Sequence, residues 1–110
     1  MSARGQPITV QLGDLRIDRL RFEVKIRNTK VRLTRKEFAL LWLLASEDGR
    51  VFHREELIEQ LWGPDDFIHP RAVDVHITRL RRKLSAASGL CLIETVWGIG
   101  YRLKGREVAS

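Results

Sequence analysis

Arg71-Ala72-Val73-Asp74-Val75-His76-Ile77-Thr78-Arg79-Leu80-Arg81-Arg82-Lys83-Leu84 is the stretch that decides how this chain is read. At 100° per residue, Val73, Ile77, Leu80 and Leu84 fall on one stripe, the core face of an amphipathic helix. The opposite arc holds Arg71, Ala72, Val75, Thr78, Arg79 and Arg82, with Lys83 at its edge. Five of the thirteen residues from Arg71 to Lys83 are basic, against one acid, Asp74. A helix in a DNA major groove needs arginines for guanine edges and phosphates, and small methyl-bearing groups for thymine methyls. A merely solvated helix face also carries charge, so the arc by itself leaves both readings open.

Working outward, Pro70 suits a first helical position because its missing amide would go unpaired there anyway, and the helix is predicted to run to about Ser85. Upstream, Leu57, Ile58, Leu61 and Trp62 recur at helical spacing until Gly63-Pro64. The other face of that helix carries Arg54, Glu55, Glu56 and Glu59, expected to meet water or partners within the helix such as Arg54. An earlier helix opens at Thr34-Arg35-Lys36-Glu37, the spacing of a capping box. It buries Phe38, Leu41, Trp42, Leu44 and Ala45, and ends at Asp48-Gly49. Val51-Phe52 reads as a short strand.

Before Thr34 the period is two. Ile8, Val10 and Leu12, then Leu15 and Ile17, then Phe22, Val24 and Ile26, then Val31 and Leu33 alternate with polar residues. Gly13-Asp14 and Arg27-Asn28-Thr29 are short turns, which demand antiparallel neighbours and predict a four-stranded meander. After Gly89, Ile93-Glu94-Thr95-Val96 and Tyr101-Arg102-Leu103 flank Trp97-Gly98-Ile99-Gly100 as a hairpin. The expected fold class is α+β: a winged helix-turn-helix with an N-terminal four-stranded antiparallel sheet, three helices and a C-terminal hairpin wing. The expected domain is 8–104, with 1–7 a linker remnant or disordered start and 105–110 a tail.

The 110 residues suit one domain, and 44% hydrophobic residues with 31% charged suit a soluble one. Twenty Lys plus Arg against fourteen Asp plus Glu leave a net charge of +6, which favours a polyanionic partner, nucleic acid before a membrane surface. The apolar run from Phe38 to Ala45 is far short of a membrane span, and the first ten residues lack the apolar segment of a secretory signal. The single Cys91 excludes an internal disulfide and agrees with a reducing compartment, so a cytoplasmic location is expected. Cys91 is read as a small core residue opening a strand. His53, His69, His76 and Cys91 lack paired ligand spacing, so neither metal nor cofactor is expected, and no nucleophile with a base points to an enzyme.

Thr34-Arg35-Lys36-Glu37-Phe38 with Leu40-Leu41, Arg54-Glu55-Glu56-Leu57 with Trp62-Gly63, the Arg71–Leu84 stretch, and Thr95-Val96-Trp97-Gly98-Ile99-Gly100-Tyr101-Arg102-Leu103 together resemble the OmpR/PhoB-type winged-helix effector domain of bacterial response regulators. The resemblance spans about Ile8 to Leu103. It implies a transcription factor module whose third helix enters the major groove of double-stranded DNA and whose wing, Trp97, Gly98, Gly100 and Arg102, reaches the adjacent minor groove. By the same resemblance Ala72, Val75 and Arg79 read bases, while Arg71, His76, Thr78, Arg81 and Tyr101 grasp phosphates; Arg82, on the same arc, joins the base-reading set. Asp74 is expected to orient side chains within the domain. Trp97 stands where the family often has an arginine, which puts electrostatic reading of the minor groove in doubt. An indole there either stacks on sugar or packs against the hairpin, and packing has the slight edge.

The loop from Gly63 to His69 is longer than a simple helix-turn-helix turn. In similar proteins it meets RNA polymerase, a role Asp65, Asp66 and Phe67 suit; a solvated connector fits equally well. Regulators of this family carry a receiver domain phosphorylated by a sensor kinase, for which this chain has no room, so either an excised effector half or a stand-alone relative is expected. The linker-like Met1 to Pro7 favours excision. A monomer in isolation, paired on DNA, is the expected state. The rival is a protein-interaction winged helix whose basic helix docks an acidic partner and binds DNA without sequence preference.

Overall fold

The computed structural model describes residues 8–63 and 68–104. The expected linker 1–7, the tail 105–110 and the loop residues Asp65, Asp66 and Phe67 lie outside the described residues.

The chain opens with four strands, β1 (Thr9–Leu12), β2 (Leu15–Asp18), β3 (Glu23–Ile26) and β4 (Thr29–Val31), paired antiparallel in sequence order. The alternation decides their orientation: Leu12, Leu15, Ile17, Val24, Ile26 and Val31 are buried, while Gln11, Arg16, Lys25 and Lys30 face outward. Two-residue connections at Gly13-Asp14 and Arg27-Asn28 set the register, Leu12 opposite Leu15 and Ile26 opposite Thr29. Asp14 steadies the second turn, its carbonyl accepting from the Arg27 amide at 3.0 Å and its carboxylate from Arg27 Nε at 3.1 Å.

Two expected core positions are not in the core. Ile8 precedes β1 and is exposed. Phe22 precedes β3 at φ 52° and is also exposed, its ring tilted against Phe38 at 5.0 Å. The β2–β3 connection is longer than two residues, so Phe22 belongs to the turn and the alternation starts only at Val24.

Helix α1 (Arg35–Ser46) begins at the expected capping box: the Glu37 amide donates to Thr34 Oγ1 at 3.2 Å and the Thr34 amide to Glu37 Oε1 at 2.9 Å. Phe38, Leu40, Leu41, Leu44 and Ala45 are buried. Trp42, expected in the core, is half-buried with the Arg19 guanidinium over its ring. A two-residue strand, β5 (Phe52–His53), leads into α2 (Arg54–Trp62), and α3 runs Pro70–Ser88, three residues beyond its expected end. It stops where Gly89 takes a left-handed conformation and its amide returns to the Ser85 carbonyl at 2.7 Å.

Strands β6 (Ile93–Val96) and β7 (Gly100–Leu103) form the C-terminal hairpin. The wing is a three-stranded sheet ordered β5-β7-β6, wider than the expected two-stranded hairpin, because β5 pairs Phe52 with Tyr101 and His53 with Gly100. Gly100 is required there: a Cβ would sit 1.9 Å from the Phe52 carbonyl oxygen. Cys91 falls outside β6 and is exposed, so the expected core cysteine is corrected; Leu92 and Ile93 take the buried positions. Val73, Ile77, Leu80 and Leu84 are buried, and α3 packs against α1, α2, β3 and β4, which fixes its opposite arc outward.

Candidate nucleic-acid interface

The core stripe of α3 decides what its outer side presents. Arg71, Val75, Thr78, Arg79 and Arg82 are exposed, recurring on one face, and Ala72 lies half-buried at its margin. Val75 is 47% exposed, an aliphatic group open to solvent between cations. Among the described residues no carboxylate pairs with Arg71, Arg79 or Arg82. The arc therefore offers three guanidinium groups, a methyl-bearing patch and a hydroxyl, the donor and apolar chemistry that base edges and phosphates take up. At the start of α3, His69 Nδ1 accepts from the Arg71 amide at 3.1 Å, so this histidine is a helix cap.

The flanks of α3 are committed inside the domain. Asp74 accepts from Arg54 through both carboxylate oxygens, at 3.0 and 2.9 Å, and from the Tyr101 hydroxyl at 2.6 Å. Its expected orienting role is what the geometry displays. Tyr101, expected at a phosphate, is 6% exposed with its hydroxyl turned onto Asp74, so the structure makes it a brace between β7 and α3. The neighbouring Asp74 charge, foremost, raises the Arg54 pKa; burial, foremost, raises that of Tyr101, with Asp74 adding to it.

Arg81 is half-buried and donates to Thr95 Oγ1 at 2.9 Å, a second tie between α3 and the wing. His76 is half-buried against Trp62, ring centroids 5.4 Å apart. Lys83 leaves the basic arc altogether, because its ammonium reaches the buried Glu37 at 2.7 Å. Thr78 remains exposed, its hydroxyl donating to the Asp74 carbonyl one turn back at 2.9 Å.

In the wing, Gly98 sits at φ 81° and permits the turn, Gly100 is buried under β5, and Arg102 donates to Glu94 on the facing strand at 2.7 Å. That contact, foremost, holds the Glu94 pKa below the usual carboxylate range. Trp97 is 88% exposed, so the slight preference for packing against the hairpin is corrected: Gly98 turns the chain away and leaves the indole in solvent. Between α3 and the wing runs a groove of about 570 Å³, lined by Arg54, Asp74, Arg81, Thr95, Trp97 and Tyr101 among others.

Sequence reading missed Arg54, Glu37 and Thr95 as organisers of this surface. Arg54 was paired with its own helix, yet its partner lies 20 residues on, and Glu56 turns instead to Arg50. Among the described residues no three His, Cys, Asp or Glu gather as a metal site, and no helix is long and apolar enough to cross a membrane.

Residues 28–103 match the family described as transcriptional regulatory protein, C terminal. The chain is 42% identical over 95 residues to the phosphate regulon transcriptional regulatory protein PhoB of Rhizobium meliloti, covering 86% of this chain and 42% of that protein. It thus spans less than half the length of this relative. Among solved structures, the response regulator DrrB of Thermotoga maritima, an OmpR/PhoB homologue, superposes with a TM-score of 0.81 at 35% identity, over 94% of this chain and 47% of that one. The RstA DNA-binding domain of Klebsiella pneumoniae, crystallised with the RstA box, gives 0.78 at 34% identity, over 88% of this chain and 97% of that domain.

Proposed function

The chain belongs to the transcriptional regulatory protein C-terminal family, the winged-helix domains of OmpR/PhoB type, and from that premise we propose that it binds duplex DNA sequence-specifically as the effector domain of a two-component regulator. It is a transcription-factor domain and not an enzyme. The observation that carries the reading is the outer arc of α3, where Arg71, Val75, Thr78, Arg79 and Arg82 are exposed together. In this reading α3 lies in the major groove. Ala72, Val75, Arg79 and Arg82 face base edges, and Arg71, Thr78, His76 and Arg81 neutralise or bond phosphates from the centre and flanks of the arc. Tyr101 serves by holding Asp74.

Affinity comes largely from phosphate neutralisation and falls steeply with salt, while Arg79, bidentate to a guanine, supplies about 1–3 kcal/mol of discrimination. Signal input comes through a receiver domain and its kinase, and not through residues 8–104. The domain works in the cytoplasm, monomeric alone and paired on its operator. The loop carrying Asp65, Asp66 and Phe67 meets RNA polymerase, and replacing it by a Gly/Ser segment lowers transcription while leaving DNA affinity intact.

Selection from a random duplex pool at near-physiological salt, with excess nonspecific competitor, tests the reading. An enriched motif, as two half-sites about one helical turn apart, is the expected result. Binding without any enriched motif would transfer the basic helix to the rival role, docking an acidic protein.

A further inference from the structure

Three exposed large hydrophobic residues gather at one place on the side of the domain away from α3. Leu20 and Phe22, 74% and 70% exposed, stand on the β2–β3 turn. Ile8, also exposed, lies beside them, its carbonyl accepting from the Arg19 amide at 2.8 Å. The left-handed φ of 52° at Phe22 is uncommon for a bulky residue and lifts the ring out of the strand alternation. Beside the turn runs a groove of about 490 Å³, floored by Phe38, Ala39, Trp42 and Leu43 of α1 and walled by Phe52 and Leu61. Among the described residues, none of α3 or of the C-terminal hairpin lines it. Contiguous apolar surface rimmed by polar groups marks a protein contact.

This face is complementary to itself. A two-fold contact uses the same patch on both partners, so the patch must carry both a projection and a recess. The projection is the turn, apolar and basic: Leu20 and Phe22 alternate with Arg19 and Arg21. Its one acid, Asp18, is engaged through Oδ1 by the Leu20 and Arg21 amides at 3.0 and 3.1 Å. The recess has an acidic end, where Glu47 and Glu56 share a single guanidinium, Arg50, and the Glu47 side chain is 57% exposed. We propose that this face is a contact between two copies of the domain, the β2–β3 turn of each seated in the groove of the other, with Arg21 facing Glu47 of the partner subunit. At 3.6 residues per turn, Ala39 and Trp42 lie roughly 140–200° round α1 from Glu37, the residue tied to Lys83 of α3. Helix α1 therefore stands between the groove and α3, and pairing leaves both outer arcs open. On the DNA reading, on which this consequence alone rests, a pair holds two duplex segments at once. One turn seated in one groove on each side falls short of the roughly 800 Å² per partner of a standard interface, so the contact forms at high local concentration while the dilute domain stays monomeric.

Sedimentation equilibrium from micromolar to millimolar concentration tests the contact. The wild-type mass rises toward that of a dimer, and added salt lowers the rise. Arg21→Glu and Glu47→Arg each set like charges against one another and stay monomeric alone. An equimolar mixture of the two restores both ion pairs and associates again. Leu20→Ser, also at an exposed position, weakens association several-fold. The surface pair that Glu47→Arg breaks contributes little, so these variants keep the wild-type circular dichroism spectrum and melting temperature. A wild type that stays monomeric at millimolar concentration would leave the face to another occupant, a preceding segment or a foreign protein, and overturn the proposal. A mixture no more associated than its separate components would overturn it as well. Two dye-labelled duplexes, each carrying the selected motif, read the consequence: energy transfer appears with the wild type and not with Arg21→Glu, which binds each duplex with wild-type affinity. Equal transfer in both would overturn the two-duplex arrangement. Failure of the wild type to bind either duplex over competitor would overturn the DNA reading and leave the self-association standing.

Discussion

The Tyr101 hydroxyl donates to the Asp74 carboxylate at 2.6 Å, joining the wing to the single acid of α3 across 27 residues of sequence. The same carboxylate holds Arg54 by two further bonds, so one side chain fixes the start of α2, the N-terminal part of α3 and β7 against one another. Removing the hydroxyl in Tyr101→Phe keeps the ring and deletes a bond to a charged group, a loss of about 2 kcal/mol. Asp74→Ala strands both partners and costs more. Urea denaturation measures both, and the preferred DNA sequence is expected to survive Tyr101→Phe.

Glu37 and Lys83 tie α1 to α3 and make the fold pH-dependent. Burial pushes the Glu37 carboxyl pKa up, but the Lys83 ammonium and the Thr34 bonds outweigh it and hold the net value below the ordinary one. The folded state then takes up a proton less readily than the unfolded chain. The stabilisation is fully present above the ordinary glutamate pKa, roughly 4.3, and disappears as pH falls through the lowered value. Thermal melts of wild type and Glu37→Gln should differ most near pH 7 and converge in acid. A gap that stays constant down to acid pH would contradict the pairing.

Gly100→Ala places a Cβ against the Phe52 carbonyl, a backbone atom that cannot step aside without parting β5 from β7. A loss of about 3 kcal/mol, or failure to fold, is expected from overpacking at such a contact. Denaturant unfolding gives the number. Trp97→Ala, at the exposed tip three residues earlier, should leave stability unchanged.

Arg79 and Arg71 divide specificity from affinity. Arg79→Ala should flatten base preference at one position of the motif. Arg71→Ala should weaken all sequences alike and reduce the salt slope by about one. Anisotropy titrations on the selected duplex and on single-base variants of it separate the two. The half-buried Arg81 should differ from both: through Thr95, its loss also disturbs the wing.

The elements were legible in the sequence because each carries a local signal: period two through β1 to β4, the Thr34–Glu37 box, proline and glycine at the ends of α3. The outer arc followed from the same arithmetic, since Val73, Ile77, Leu80 and Leu84 leave only one side for Arg71, Arg79 and Arg82. Contacts across long sequence separations were not legible. No spacing rule joins Arg54 to Asp74 or Lys83 to Glu37, so Lys83 was counted with the arc it leaves. Phe22 fits the alternation by residue type, and only the longer β2–β3 turn excludes it. Tyr101 and Trp97 exchange places relative to expectation, one buried as a brace and the other open to solvent, because side-chain direction at a hairpin tip depends on the turn geometry at Gly98.

Amide chemical-shift mapping of the isotope-labelled domain, titrated with the selected duplex, tests the central claim most directly. The account predicts that the largest shifts cluster at Arg71, Val75, Thr78, Arg79 and Arg82 and at the hairpin tip around Trp97, with β1 to β4 unmoved. Shifts confined to the sheet or α1, with α3 silent, would contradict it.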